Sequence, residues 1–206
     1  MEVKNQNTEQ ILLEAAEKLF IEKGFDGAKT TEIARLAGVN HALLHYYFRT
    51  KKNLFNCVFE RIAAQMVGFI SIAFEDDAPF FDKLQKAIEL HFDGLVTRIN
   101  LPMFIFREVI QQKERKDYFL NQLFPIAKKV LAKMHGDIKR EVKKGIIRPV
   151  KAQNVLLNIA ALNVFSFIAA EVLFDTKDKQ NAGALKLFLN DRKQNNVNTI
   201  INSLKL

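Results

Sequence analysis

The chain has 206 residues, of which 49% are hydrophobic and 26% charged, as is usual for a soluble globular protein. The single cysteine, Cys57, excludes an intramolecular disulfide framework and favours a reducing compartment. The formal net charge of +8 permits an anionic partner, but residues 1–55 hold eight Lys/Arg and seven Asp/Glu and so carry only +1 of it. Charge alone therefore assigns no function.

The start of the chain, MEVKNQNTEQ, is polar and lacks the apolar stretch of a secretory signal, so we expect a cytoplasmic protein. The most membrane-like segment, residues 156–174, is interrupted by Asn158, Asn163, Ser166 and Glu171. Since unpaired polar groups are costly in lipid, we expect a helix buried in protein and no membrane partner.

Helical spacing of apolar residues, few Gly and Pro, and no alternating strand pattern predict an all-α chain of about nine helices. The first helix is predicted over Thr8–Lys23, with Gly24 ending it at positive φ. Its buried face would hold Ile11, Ala15, Ala16, Leu19 and Phe20, while Glu14, Glu17 and Lys18 would face water.

Two short helices and a long one follow in the prediction. A second helix over Thr31–Ala37 would be capped by Thr30 or Thr31, and a third would run from a cap at Asn40 to about Phe48. A fourth helix, capped by Thr50, would run from Lys51 to about Phe74. Later helices are predicted at residues 80–99, 102–113, 116–144 (kinked or split at Pro125), 151–174 and 185–204.

The second and third predicted helices meet the requirements of a helix-turn-helix. Small Ala34 lets the helices cross closely, Gly38 permits positive φ in the turn, and Leu44 fills the angle between them. One face of the third helix is then free of packing. It carries side chains suited to base edges, thymine methyls and phosphates: His41, Ala42, His45 and Tyr46, flanked by Leu43 and Tyr47.

The run TTEIARLAGVN at residues 30–40, followed by HALLHYYFRTKKNL at 41–54, strongly resembles the TetR family of bacterial repressors. The resemblance implies a three-helix DNA-binding domain at residues 1–52 and a helical effector-binding and dimerisation domain at 53–206. It also implies that double-stranded DNA is contacted by Thr31, Asn40, His41, Ala42, Leu43, His45, Tyr46, Tyr47 and Lys51.

Two positions depart from the family pattern. His45 stands where the family often has Tyr, and Leu43 stands where a small or hydroxylated residue is commoner, so an operator sequence cannot be transferred. His41 and His45 have the spacing of a zinc pair, but position 42 is Ala rather than the Glu of a zinc hydrolase. We expect no metal site and no cofactor.

Phenylalanines concentrate after residue 55, and the resemblance implies a cavity for a small-molecule effector among the middle helices. Pocket candidates are Phe69, Phe92, Met103, Phe104, Phe106 and Phe119, each with an ordinary core role as the alternative. His91 and Arg107 could orient a polar ligand end or could be satisfied structural side chains. The basic stretch at residues 128–151 indicates a solvated face, with an anionic effector as the alternative.

The resemblance further implies a homodimer in which the helix at 156–174 and the last helix pair with their symmetry mates. The final helix would contribute Val197, Ile200, Ile201 and Leu204, and Asn158 and Asn163 would set the register.

These features predict a ligand-responsive repressor that binds a pseudo-palindromic operator as a dimer. The alternative is a DNA-bound architectural or partner-recruiting protein without an effector. An enzyme is not expected, because the chain has no Gly-rich phosphate loop, and Ser71, Ser166 and Ser203 lie in no nucleophile-elbow context.

Overall fold

The computed structural model describes residues 2–75, 77–110, 112–174 and 179–206. This part of the chain holds nine α-helices and no strand beyond one isolated bridge between Ile147 and Lys205, so the all-α prediction is confirmed. A π-helical turn, Phe106–Ile110, follows α6, and a 3₁₀ turn, Lys179–Asn181, precedes α9. The helices are α1 (Glu2–Gly27), α2 (Thr30–Leu36), α3 (His41–Phe48), α4 (Lys51–Ala73), α5 (Phe80–Val96), α6 (Leu101–Ile105), α7 (Lys113–Lys143), α8 (Ala152–Leu173) and α9 (Ala182–Leu204).

Local signals predicted some helix ends and missed others. Gly24 has a φ of 73°, as predicted, but α1 resumes after this break and reaches Gly27. Lys29 occupies the N-cap position of α2 without a side-chain bond, so the predicted threonine cap is wrong. Thr50 does cap α4, since its Oγ1 accepts from the Asn53 amide at 3.1 Å. Helix α7 runs through Pro125 without being split.

The chain forms two compact units, one of residues 1–63 and 104–122, the other of residues 64–103 and 123–206. Helices α4 and α7 each contribute residues to both units. Segment 104–122 therefore belongs to the same compact unit as the three N-terminal helices, although it lies far from them in sequence. A functional boundary after residue 52 is a separate question and remains a prediction.

The α1 face that packs in the first unit differs from the predicted face at three positions. Leu12 is fully buried, whereas Ile11 is 37% exposed. Glu17, expected in water, is only 7% exposed and lies 3.9 Å from Nε of Arg61 on α4. The sequence pattern missed this burial because the compensating cation comes from another helix.

The second unit has one apolar core, built mainly by α5, α8 and α9 with residues from α4 and α7. Val197, Ile200 and Leu204 of α9 are buried in it, and Ile201 packs against it partly buried. Val197, Ile200 and Leu204 serve the core of their own protomer, so their predicted place in a dimer interface is wrong. The place of Ile201 in an interface remains a prediction. Helical spacing identified an apolar face but not its partner.

A hydrogen-bonded polar cluster lies inside this unit, where α5, α8 and α9 meet. Nδ2 of the fully buried Asn163 donates to the Ile88 carbonyl at 2.9 Å and lies 3.2 Å from Nδ1 of His91. Asn196 donates to Oδ1 of Asn163 at 3.0 Å and to Oγ of Ser166 at 3.2 Å. Asn163 therefore cannot set a dimer register, and His91 is a satisfied core side chain.

Two helices, Lys51–Ala73 and Ala152–Leu173, are long and apolar enough to cross a membrane by length and composition. In α8, however, Val155, Ile159 and Phe167 are buried, and the polar groups of Asn163 and Ser166 are hydrogen-bonded within the protein. These contacts are those of a helix packed in a helical core.

The buried imidazole of His91 makes the stability of the protein depend on pH. Burial lowers the pKa of His91 to about 4. Because the folded-state pKa lies below the unfolded value, stability is complete above about pH 6.5 and is lost as the pH falls toward about 4. From pH 7.5 to pH 5, this one group should remove about 2 kcal/mol of unfolding free energy.

Urea unfolding at pH 7.5 and pH 5 should show that His91→Gln loses about 2 kcal/mol less unfolding free energy between these pH values than the native chain does. His135→Gln, at an exposed position on α7, is the control and should behave as the native chain. Equal losses in the native chain and in His91→Gln would contradict the assignment.

Candidate nucleic-acid interface

The turn between α2 and α3 is held by backbone geometry. Gly38 has a φ of 67°, which favours glycine, and a Cβ there would meet only open space. The Val39 amide donates to the Ala34 carbonyl at 3.0 Å, and Ala34 is buried. The predicted roles of the small residue and the glycine in this turn match the observed geometry.

Helix α3 begins with a side-chain cap and is anchored by two apolar residues. Oδ1 of Asn40 accepts from the Ala42 amide at 2.9 Å, as expected of an N-cap. Leu44 is fully buried, and Phe48 is only 4% exposed. These two residues lie four positions apart and hold one side of the helix against the unit.

The opposite side of α3 faces solvent. Tyr46 is 68% and Leu43 39% exposed, and Ala42 and His45 are also exposed. His41 and Tyr47 are half-buried at its edges. The structure therefore brings the six predicted residues of α3 together on one accessible surface, which we call the α3 face.

Contacts on the α3 face hold its rings in place. Nε2 of His41 lies 3.0 Å from Oγ1 of Thr30, and Nδ1 of His45 donates to the Arg49 carbonyl at 3.2 Å. The two imidazole rings meet edge to face with centroids 4.6 Å apart. Tyr46 and Tyr47 are arranged similarly, at 5.3 Å. Ordered side chains lose less conformational entropy when they bind.

The candidate phosphate contacts beside the α3 face were predicted only in part. Thr31 is exposed at the start of α2, as a phosphate contact requires. Nζ of Lys51 donates to the Asp26 carbonyl at 3.3 Å and lies 4.7 Å from the Phe25 ring centroid, which fixes its position. Arg49 is exposed between α3 and α4, with a φ of 63°. The sequence analysis did not name Arg49, although a cation directly after α3 could have indicated a further phosphate contact.

A carboxylate from segment 104–122 secures the break in α1. Oε2 of Glu108 accepts from the Phe25 amide at 3.2 Å and from Nη1 of Arg115 at 2.7 Å. The φ of 73° at Gly24 favours glycine, and a Cβ there would lie 2.5 Å from Oε1 of Glu108, so this carboxylate would have to move. The Arg115 guanidinium also lies 4.4 Å from the Phe25 ring centroid.

An open cleft of about 460 Å³ adjoins this cluster within the first unit. Its wall combines the Phe25 and Phe55 rings with three cations. Desolvation, together with the Glu60 carboxylate that accepts from its hydroxyl, raises the pKa of Tyr118 to about 12, so this wall residue stays a hydrogen-bond donor. The cleft is lined by Phe25, Lys52, Phe55, Asn56, Gln112, Lys113, Glu114, Arg115 and Tyr118.

The six predicted pocket residues do not gather around that cleft. Phe92 and Phe104 are almost fully buried and stack on other rings, while Phe106 is 46% exposed. Phe69 packs against Gly94, and Phe119 packs on Phe59. Met103 is partly buried. Their role in ligand binding remains a prediction.

The α3 face and the fold behind it are those of a helix-turn-helix DNA-binding protein. Residues 12–58 match the model of the bacterial regulatory proteins of the tetR family. This N-terminal segment is thus assigned to the TetR family of transcriptional regulators, as its sequence predicted.

Relatives and solved structures agree with this assignment. The HTH-type transcriptional regulator YhgD of Bacillus subtilis is 22% identical over 191 residues, covering 87% of this chain and 93% of YhgD. The fatty acid metabolism regulator protein of Bacillus subtilis is 23% identical over 66% of this chain and 69% of its own. The structure of the regulator FadR from Bacillus subtilis with stearoyl-CoA has a TM-score of 0.64 at 20% identity, covering 91% of this chain and 97% of FadR.

Two adjacent leucines test which side of α3 is free. Leu44→Ala removes a fully buried side chain and should lower the unfolding free energy by about 3 kcal/mol. Leu43→Ala alters an exposed side chain and should change it by less than about 0.5 kcal/mol, while still changing DNA binding. Denaturant unfolding and a duplex-binding assay measure the two effects. Equal destabilisation by the two substitutions would contradict the orientation of the helix.

Proposed function

We propose that this protein is a cytoplasmic, ligand-responsive repressor that binds a pseudo-palindromic operator as a homodimer and is released by a small molecule. Residues 1–52 would read DNA, and residues 53–206 would bind the effector and dimerise. The observation that carries the proposal is the α3 face, which is exposed because Leu44 and Phe48 anchor the helix from its other side.

In this proposal, α3 enters the major groove. The His45 imidazole and the Tyr46 hydroxyl would meet polar base edges, while Ala42 and Leu43 would contact thymine methyls. Thr31, Tyr47, Lys51 and Arg49 would contact phosphates on either side and fix the register of the helix. Asn40 would act mainly through its cap, which places the first turn of α3.

The exposed side of α8 supports a homodimer. Leu157, Phe165 and Val172 are 65%, 66% and 77% exposed, and Ala161 lies between the first two at helical spacing. A second copy of this apolar side would remove it from water, and the two recognition helices would then reach successive major grooves about 34–36 Å apart. In this proposal, the exposed side of α8 forms the dimer interface in place of the α9 residues that the sequence analysis predicted.

An effector with an anionic group and an apolar part fits the residues of the first unit. FadR, which has a similar fold, was solved with stearoyl-CoA. The cations and rings of the open cleft offer one site for such a molecule. The predicted pocket residues Phe69, Phe92, Met103, Phe104, Phe106 and Phe119 are retained as a second candidate lining. If no small molecule releases DNA, the architectural alternative is favoured instead.

The effector signal would reach the DNA-reading helices through segment 104–122. Its Glu108 binds the Phe25 amide next to the break in α1, and α7 continues from this segment into the second unit. The effector shifts the equilibrium between DNA-binding and released states only as far as its affinities for the two states differ.

Selection from random duplexes tests the DNA-reading proposal. His45→Ala should change the preferred sequence, because it removes a base-reading group. Lys51→Met should weaken binding to all sequences and reduce the salt-dependence slope by about 1, since one phosphate contact is lost. Lys186→Met, at an exposed position on α9, is the control. The proposal fails if no sequence is enriched. The selected duplex can then be used to screen for release, beginning with stearoyl-CoA.

The dimer is tested by placing a charge on α8. Phe165→Glu should produce monomers in light scattering and weaken operator binding, because the carboxylate would be buried against the second copy. Phe124→Glu on α7 is the matched control, since Phe124 is 62% exposed and Phe165 66% exposed. If Phe165→Glu still forms dimers and binds the operator with unchanged affinity, this side of α8 is not the interface.

A further inference from the structure

Nearly all of the formal charge of the chain lies in one stretch that the proposed function does not use. Residues 128–151 carry nine Lys/Arg and two Asp/Glu, a net +7 out of +8 for the whole chain. All nine cations are exposed. We name their surface the α7 basic face: Lys128, Lys129, Lys133, Lys139, Arg140, Lys143 and Lys144, continued by Arg148 and Lys151 beyond the helix.

The two acids in this stretch do not balance the face. Asp137 is only 8% exposed and is shared by Lys83, at 3.2 Å, and Arg140. Glu141 is partly buried and pairs with Lys144 at 2.8 Å. Among the described residues, no ion pair involves Lys128, Lys129, Lys139 or Lys143.

This arrangement costs the helix stability. Lys129 and Lys133, and likewise Lys139 and Lys143, are like charges four residues apart, which repel on a helix surface. The helix dipole favours cations only in the last turn, so it accounts for Arg140 and Lys143 but not for Lys128 or Lys129. A solvated surface would mix both signs.

The shape of the face indicates which anion it fits. From Lys128 to Lys143 the helix rises about 22 Å, a length over which duplex DNA presents about 13 phosphate charges. Exposed Ala132 and Gly136 lie between the cations of α7, and no large apolar residue is exposed between Lys128 and Lys143. Phe124 precedes this part of the helix, and Ile146 follows it in the loop before Arg148. A helix that inserts in a membrane surface needs an apolar side, which this face lacks.

We infer that the α7 basic face binds the phosphate backbone of duplex DNA without sequence preference, as a second nucleic-acid surface separate from the α3 face. The affinity it supplies should fall steeply with salt, because each phosphate contact releases counterions.

The test compares two triple variants of the full chain that change net charge equally. Lys128→Gln/Lys139→Gln/Lys143→Gln removes three cations of the face, and Lys86→Gln/Lys186→Gln/Lys205→Gln removes three exposed cations elsewhere. Binding to a random-sequence duplex is measured from low to moderate salt. The first variant should reduce the slope of log K against log salt by about 2 to 3, and the control should leave it nearly unchanged.

Two further arms keep the result unambiguous. The same comparison in a His45→Ala/Tyr46→Ala background should show the same loss, which separates this surface from the α3 face. Circular dichroism should show both variants folded, since removing like charges does not weaken α7. Equal slopes in the two triple variants would overturn the inference. It would also be overturned if the first variant lost binding only to vesicles rich in anionic lipid.

Discussion

The burial of Leu44 and Phe48 is the constraint on which the rest of the protein depends. Both side chains point into the first unit, and their removal from water holds α3 by one side only. The other side is then available without loss of core packing. The Asn40 cap and the positive φ of Gly38 set where this helix begins and how it leaves the turn. The proposed DNA reading thus depends on a small apolar anchor behind the α3 face.

The first unit is completed from a distant part of the chain. Glu108 lies 83 residues from Phe25, yet its carboxylate accepts a hydrogen bond from the Phe25 amide beside Gly24 of α1 and pairs with Arg115. A π-helical turn presents it, and such turns are frequent at functional sites. A shift of segment 104–122 would therefore act directly on α1 through the hydrogen bond between Glu108 and the Phe25 amide.

Charge and apolar surface are separated between different helices. The DNA-reading segment carries little of the net charge, whereas α7 carries most of it, and α8 presents exposed aromatic and aliphatic side chains. The buried side chains of Asn163, Ser166 and Asn196 in the second unit are hydrogen-bonded to one another, so the core around them tolerates their polar groups. The inferred partners differ accordingly: phosphate backbone for α7 and a second copy for α8.

Local sequence determined the all-α class, the helix-turn-helix, the Asn40 and Thr50 caps and the exposed α3 face. It could do so because helix caps, glycine torsions and the 3.6-residue spacing of apolar side chains depend on only a few neighbouring residues. Only the tertiary structure decided the partner of each apolar or charged side chain. Glu17 is buried because Arg61 reaches it from α4, and Asn163 is internal because Asn196 lies opposite it. Val197 and Ile200 likewise face their own core rather than a second copy. Burial depends on which distant segments meet, and no local pattern contains that information.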